Sequence, residues 1–213
     1  RSQDSTNQFD ADADFDGLVE DRDRETDSKG TNLGLTIKYN SADDQWRHRV
    51  SLSSAEFDNS NFSDGRNDGT TESRKVRYQY VGSRLWDKLG QQLSVMVESE
   101  EEEYRQSGGY AFGSDADTII KRNTDSWAFE YRANPLESLT LGVSARYDKN
   151  DRFDDAETYR LEALYRVDDQ TKMRTTWSSS IKNPTFTELY GIYYGFSGNP
   201  DLKPESSAGW SLG

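Results

Sequence analysis

The run Leu139-Thr140-Leu141-Gly142-Val143-Ser144-Ala145-Arg146-Tyr147 decides how this chain is read. Every second residue is apolar or aromatic, and the residues between are small, polar or charged. A side-chain period of two belongs to a strand whose two faces meet different surroundings. Working outward, the same alternation recurs in Leu33–Tyr39, Trp46–Leu52, Val76–Tyr80, Leu93–Val97, Trp127–Tyr131, Tyr159–Tyr165 and Met173–Trp177. Eight strands of one design follow one another, with no helical segment of comparable clarity between them. An all-β chain of antiparallel strands is predicted.

Composition narrows what those strands can belong to. Leu, Ile, Val and Phe supply under a fifth of the 213 residues, and the formal net charge is -13. Such numbers usually signal disorder, but 12% aromatic residues argue against it. The few apolar groups must be placed economically. The chain has no cysteine and one histidine, His48, so disulfides, thiolate metal sites and multi-histidine sites are excluded. The acidic balance disfavours nucleic acid as a partner, because phosphates select Lys/Arg patches. No nucleophile elbow, Cys/His pairing or phosphate loop is present, and no enzyme activity is expected. No run approaches the ~18–20 apolar residues of a membrane helix, and the opening Arg1-Ser2-Gln3-Asp4 is not a signal peptide.

The connections alternate in length. Short ones fall at 40–45, 87–91, 134–138 and 168–171; long ones, rich in Asp, Asn, Ser, Gly and aromatics, at 58–73, 102–124, 149–157 and 183–205. Short turns at one end and long loops at the other mark an up-and-down transmembrane β-barrel. Two further features agree. The face opposite the apolar rows carries Arg and Glu repeatedly, suiting a water-filled lumen. Tyr39, Trp46, Tyr80, Trp127, Tyr131, Tyr147, Tyr165 and Trp177 lie near strand ends, where amphipathic rings meet the membrane interface. The competing reading is a soluble β-sandwich, whose strands would also alternate.

Near the C-terminus stands Ile181-Lys182-Asn183-Pro184-Thr185-Phe186-Thr187-Glu188-Leu189-Tyr190-Gly191, followed by Gly198-Asn199-Pro200-Asp201-Leu202-Lys203-Pro204-Glu205-Ser206. The pair resembles the barrel signature of TonB-dependent receptors, carried here by Pro184, Glu188, Leu189, Tyr190, Asn199, Pro200, Leu202, Pro204 and Glu205. Proline cannot occupy interior ladder positions, so these segments belong in a loop or at a strand edge. More loosely, the upstream hairpins and acidic N-terminal loop resemble the cobalamin and siderophore branch. The resemblance implies a 22-stranded barrel, of which residues 1–213 form a partial domain of about eight or nine strands. The plug domain and final strands would lie outside this chain. It implies a Gram-negative outer-membrane location, lipid around the barrel, TonB as partner through the N-terminal part, and import of a metal chelate or cobalamin-like ligand.

Three sites are candidates. Asp12-Ala13-Asp14-Phe15-Asp16-Gly17 continues to Glu20 and Asp23. Asp12, Asp14, Asp16, Glu20 and Asp23 thus offer hard oxygens around a glycine turn, as calcium requires. The closing position holds Asp rather than bidentate Glu and no helices flank the loop, so a helix-loop-helix hand is not expected. No cofactor is required; calcium in this loop is weighed against a plain solvated acidic loop. Tyr190, Tyr193, Tyr194 and Phe196 could stack on a ligand or pack the loop against its neighbour. Glu100-Glu101-Glu102-Glu103 reads as a solvated, self-repelling loop base, and His48 as an interface residue. An importer is the favoured function; a passive pore and a soluble calcium-binding β-domain are the alternatives.

Overall fold

A computed structural model describes residues 1–11, 20–86, 88–108, 118–193 and 196–213. The strands are β1 (Ser2–Ala11), β2 (Glu20–Asn40), β3 (Trp46–Ser63), β4 (Arg66–Trp86), β5 (Gln91–Ser107), β6 (Thr118–Leu136), β7 (Leu139–Asn150), β8 (Ala156–Arg166) and β9 (Lys172–Lys182). A one-turn helix α1 (Phe186–Tyr190) and a small hairpin, β10 (Ile192–Tyr193) with β11 (Phe196–Ser197), precede β12 (Glu205–Leu212). β1 to β9 pair in sequence order, and β12 closes against β9, giving a ten-stranded antiparallel sheet. All eight expected strands are present, with β1 and β12 in addition. Their periods were invisible because β1 alternates almost nothing but polar residues and β12 has only Trp210 and Leu212 as large apolar groups.

The register puts the apolar rows on one continuous face. Leu35 pairs with Leu52, Ile37 with Val50, Tyr80 with Val97, Val143 with Leu161, and Trp177 with Trp210. This face stays uncovered: Leu33, Leu35 and Ile37 are each 59–66% exposed. No second sheet or helix layer packs on it among the described residues, so the sandwich reading fails. In β7 the band runs from Leu139 to Tyr147. At ~3.4 Å per residue and ~40° tilt that covers roughly 21 Å, close to the apolar belt of an outer-membrane barrel. Rings border it at both ends. Tyr39, Trp46 and Tyr80 surround His48 with ring centroids 6.0–6.2 Å apart on the short-turn side. Trp127 and Tyr147 meet at 5.9 Å on the other.

The short connections form where expected, except that the one at 134–138 shrinks to Glu137-Ser138 because residues 134–136 belong to β6. In the first, the Ser41 hydroxyl and the Gln45 amide donate to Asp43, whose carboxyl is held below its ordinary value by these bonds. In the last, the amides of Gln170 and Thr171 do the same to Asp168. The long connections need correction. Residues 58–63 and 66–73 belong to β3 and β4, joined by the two-residue turn Asp64-Gly65, and 102–107 and 118–124 belong to β5 and β6. These segments stand beyond the apolar belt and are mostly polar on both faces, with only Tyr104 and Ile120 reaching a small apolar cluster, so no sustained apolar/polar alternation marks them as strands. The Asp-Gly dipeptide was the available signal.

Candidate functional site

The face opposite the apolar rows carries a connected ladder of charge. Lys75 bridges Glu100 and Glu102 at 3.0 and 2.9 Å, and Arg77 grips Glu100 at 2.5 and 2.8 Å. Arg146 reaches Glu98 at 3.0 Å and Asp148 at 2.7 Å, and donates to the Ser126 hydroxyl at 2.8 Å. Further along, Glu162 receives Arg132 and Arg160. Antiparallel pairing sets up the first of these contacts, since Arg77 stands opposite Glu100, Lys75 opposite Glu102, and Arg122 opposite Glu102 from the other side, while Arg146 reaches Glu98 across the intervening β6. Glu98 and Ser126 are buried by the long side chains around them.

The four consecutive glutamates are therefore not a self-repelling loop base. All four lie within β5. Glu100 and Glu102 turn inward to Lys75, Arg77 and Arg122; Glu103 turns outward to Lys121 at 2.9 Å, with Glu101 at 3.9 Å from the same amine. Strand alternation splits the run between two faces, and basic residues on β4 and β6 compensate each half. The signal was present in Lys75, Arg77, Lys121 and Arg122, but only the register converts it into pairs.

The signature segment folds back onto this ladder. Thr185 caps α1 reciprocally: its hydroxyl accepts the Glu188 amide at 3.2 Å, while its own amide donates to the Glu188 carboxylate at 2.7 Å. Those Thr185 donors, the amide first, hold the Glu188 carboxyl below its ordinary value. The buried Arg122 donates to the Pro184 carbonyl at 2.9 Å, pairs with Glu102 at 2.6 Å, and stacks its guanidinium 4.7 Å from the Phe186 ring. Phe186 lies 5.6 Å from Tyr104, and Ile120 completes a small apolar cluster with Tyr190 against it. This is a local core inside an otherwise polar concavity. Beside it lies a cavity of about 360 Å³ lined by Lys75, Glu100, Arg146, Asp148, Asp154 and Asn183, among others.

The two halves of the signature meet here. The Asn199 amide donates to the Glu188 carbonyl and the Gly198 amide to the Gly191 carbonyl, both at 2.8 Å. Gly198 lies so close to the Leu189–Tyr190 peptide that an added Cβ would sit 2.6 Å from it, which explains a glycine at this place. Asn199-Pro200-Asp201-Leu202 is a β-turn, closed by the Leu202 amide on the Asn199 carbonyl at 3.2 Å and by the Asp201 amide on the Asn199 side chain at 3.0 Å. Pro204 then leads into β12, where Glu205 pairs with Lys182.

Of the proposed ligand-contacting aromatics, Tyr190 packs against the Phe186 cluster. Tyr193 and Phe196 are opposite each other in the β10–β11 hairpin, and Tyr194 lies outside the described residues. Asp12, Asp14 and Asp16 also lie outside them. Glu20 opens β2 rather than a loop, and Asp23 is three residues into that strand, its carbonyl accepting the Asp64 amide at 2.8 Å. Strand pairing with β1, where Ala11 meets Glu20, overrides the loop expected over that part.

Comparison with known proteins places this geometry. The profile described as "TonB dependent receptor-like, beta-barrel" matches residues 1–213. The vitamin B12 transporter BtuB of Vibrio vulnificus (strain CMCP6) is 32% identical over 78 residues, 37% of this chain and 12% of that protein. The crystal structure of the siderophore receptor PirA from Acinetobacter baumannii superposes with a TM-score of 0.69 at 16% identity, over 95% of this chain and 34% of that one. PirA from Pseudomonas aeruginosa gives 0.67 at 15% identity, over 99% and 41%. The chain thus spans about an eighth of that curated relative's length and about a third of the first matched structure.

Proposed function

This chain belongs to the TonB-dependent receptor β-barrel family of the Gram-negative outer membrane, and on that premise we propose that it supplies wall, lumen lining and part of the capture surface of a receptor importing a scarce metal chelate or cobalamin-like nutrient. The exposed apolar rows meet lipid and the charge ladder meets the lumen. The observation that carries the proposal is the anchoring of the signature loop over that ladder by Arg122, Phe186 and Tyr104. An aromatic segment tied to a polar concavity can hold a solute of mixed character, rings against its apolar parts and Lys75 or Arg146 against its charges. Tyr193, Tyr194 and Phe196 would contact the ligand, with Tyr190 fixing the base from which they project. Energy would come through TonB acting on a plug, and calcium would be held by Asp12, Asp14, Asp16, Glu20 and Asp23.

The test is uptake of cyanocobalamin and of ferric siderophores by cells expressing the full-length receptor, with and without TonB. TonB-dependent uptake of one of them is expected. Diffusion of small solutes at equal rates in both strains would replace the importer by a passive pore. For calcium, hydrogen exchange of residues 12–23 should slow on adding the ion, and Asp14→Asn with Asp16→Asn should abolish the effect; no change at millimolar calcium removes the site.

A further inference from the structure

On the apolar face, at the short-turn end, Arg84 stands in the outward row between its cross-strand neighbours Trp46 and Leu93. Its guanidinium lies 4.7 Å from the Trp46 ring centroid and 5.8 Å from that of Trp86. A cation between two indoles is held in place and oriented with little loss of its hydrogen-bonding capacity. Among the described residues Arg84 makes no ion pair, in contrast to the inward-facing Arg77, Arg122 and Arg146. Below it opens a groove of about 230 Å³ lined by Tyr80, Gly82, Leu93 and Val95, with His48 at its side. Gly82 forms its floor. Tyr80 folds across that glycine to share a hydrogen bond with His48 Nδ1 at 2.8 Å, and a methyl at Gly82 would sit 2.7 Å from the Tyr80 hydroxyl. The site is amphipathic: an immobilised guanidinium at the interface, with no carboxylate in direct contact among the described residues and only the more distant charge of Asp43 acting on it, and an apolar channel running from it toward the belt.

We propose that this groove seats one glycerophospholipid of the leaflet on the short-turn side, with its phosphate on Arg84 and an acyl chain over Leu93 and Val95. The charge is complementary, the planar fork suits a phosphate oxyanion, and the groove enters the hydrocarbon from the level where headgroups lie. Unlike a surface lysine attracted diffusely to anionic lipid, this cation has a fixed direction and the channel beneath it selects a molecule carrying both groups.

The experiment is native mass spectrometry of the full-length receptor released from detergent, offered palmitoyl-oleoyl phosphatidylethanolamine, dioleoylglycerol or inorganic phosphate. The wild type should retain one phosphatidylethanolamine and little dioleoylglycerol. Arg84→Gln should lower retention roughly ten-fold, the scale of one charge-assisted hydrogen bond, and Arg84→Lys should recover only part. Heat-modifiable electrophoretic mobility verifies that each variant is a folded barrel, and Trp86→Ala offers a second route if Arg84→Gln does not fold. Equal retention by Arg84→Gln, equal retention of dioleoylglycerol, or saturation by inorganic phosphate without lipid would each overturn the assignment.

Discussion

Replacing Arg122 by Met removes three contacts at once while keeping most of the side-chain volume. The guanidinium pairs with Glu102 at 2.6 Å, donates to the Pro184 carbonyl at 2.9 Å, and stacks on Phe186 at 4.7 Å. Breaking a buried ion pair by deleting one partner costs about 3–5 kcal/mol, but Lys75 still holds Glu102 at 2.9 Å, so much of that penalty is offset. The lost bond to the carbonyl is worth about 1–2 kcal/mol and the cation–ring contact about 1 kcal/mol. A loss of about 2–3 kcal/mol in the local opening free energy follows, or roughly 30- to 150-fold faster exchange at the amides of Leu189, Gly191, Gly198 and Asn199, with the ladder of β7 to β9 unaffected. Hydrogen exchange with mass spectrometry on the intact receptor reads this directly. Unchanged protection over 184–199 would show that the loop is not held by Arg122. Uniform loss across all strands would show that Arg122 is a global rather than a local support. Adding Glu102→Gln to the variant should restore part of the protection, because a neutral amide then stands where a carboxylate had lost its guanidinium.

Three further outcomes follow from the same geometry. Glu188 has its carboxyl lowered from 4.5 by the Thr185 bonds, so the stability that it gives the turn is present above pH 4.5 and is lost as pH falls through the depressed folded value; exchange at 185–191 should quicken only below that pH, and Glu188→Gln should flatten the profile. Leu141→Arg, on the exposed apolar row, should cost about 2–4 kcal/mol in folding into bilayers, whereas Ser144→Arg on the lumen face should cost less than about 1 kcal/mol; equal costs in urea titrations would contradict the lipid assignment. Gly198→Ala should separate the two halves of the signature by forcing a methyl against the Leu189–Tyr190 peptide, seen as proteolytic sensitivity near 190–199 without loss of heat-modifiable mobility.

What the sequence disclosed depended on solvent contrast. Where one face meets lipid and the other water, as in Leu139–Tyr147, alternation alone located the strand and its orientation. Where polar residues dominate both faces, as in Asn59–Ser63 with Thr70–Glu72, or in Glu101–Ser107 with Thr118–Asn123 apart from Tyr104 and Ile120, pairing comes from backbone ladders and polar cross-strand contacts, which leave no periodic trace. The signature residues were legible as a motif, but not their reason. Gly198 against the Leu189–Tyr190 peptide, and Asn199 on the Glu188 carbonyl, are contacts between segments that the sequence separates by a hairpin. The role of Arg122 was illegible for a related cause: its three partners come from β5, from the segment before α1, and from α1 itself.

Apart from Tyr104 and Ile120, the wet halves of β2 to β6 lack a hydrophobic face to penalise misalignment, yet a slip of a single residue there would turn every side chain to the wrong side. What discriminates the correct alignment is a code of opposite charges and hydroxyl–amide matches: Lys75 with Glu102, Arg77 with Glu100, Lys121 with Glu103, Thr26 with Asn61, Ser28 with Asn59. Such a code is weakened by mobile ions where it is exposed. Insertion of this barrel wall should therefore be salt-sensitive in its fidelity even where the final stability is not, with shifted hairpins accumulating when folding is started in concentrated electrolyte.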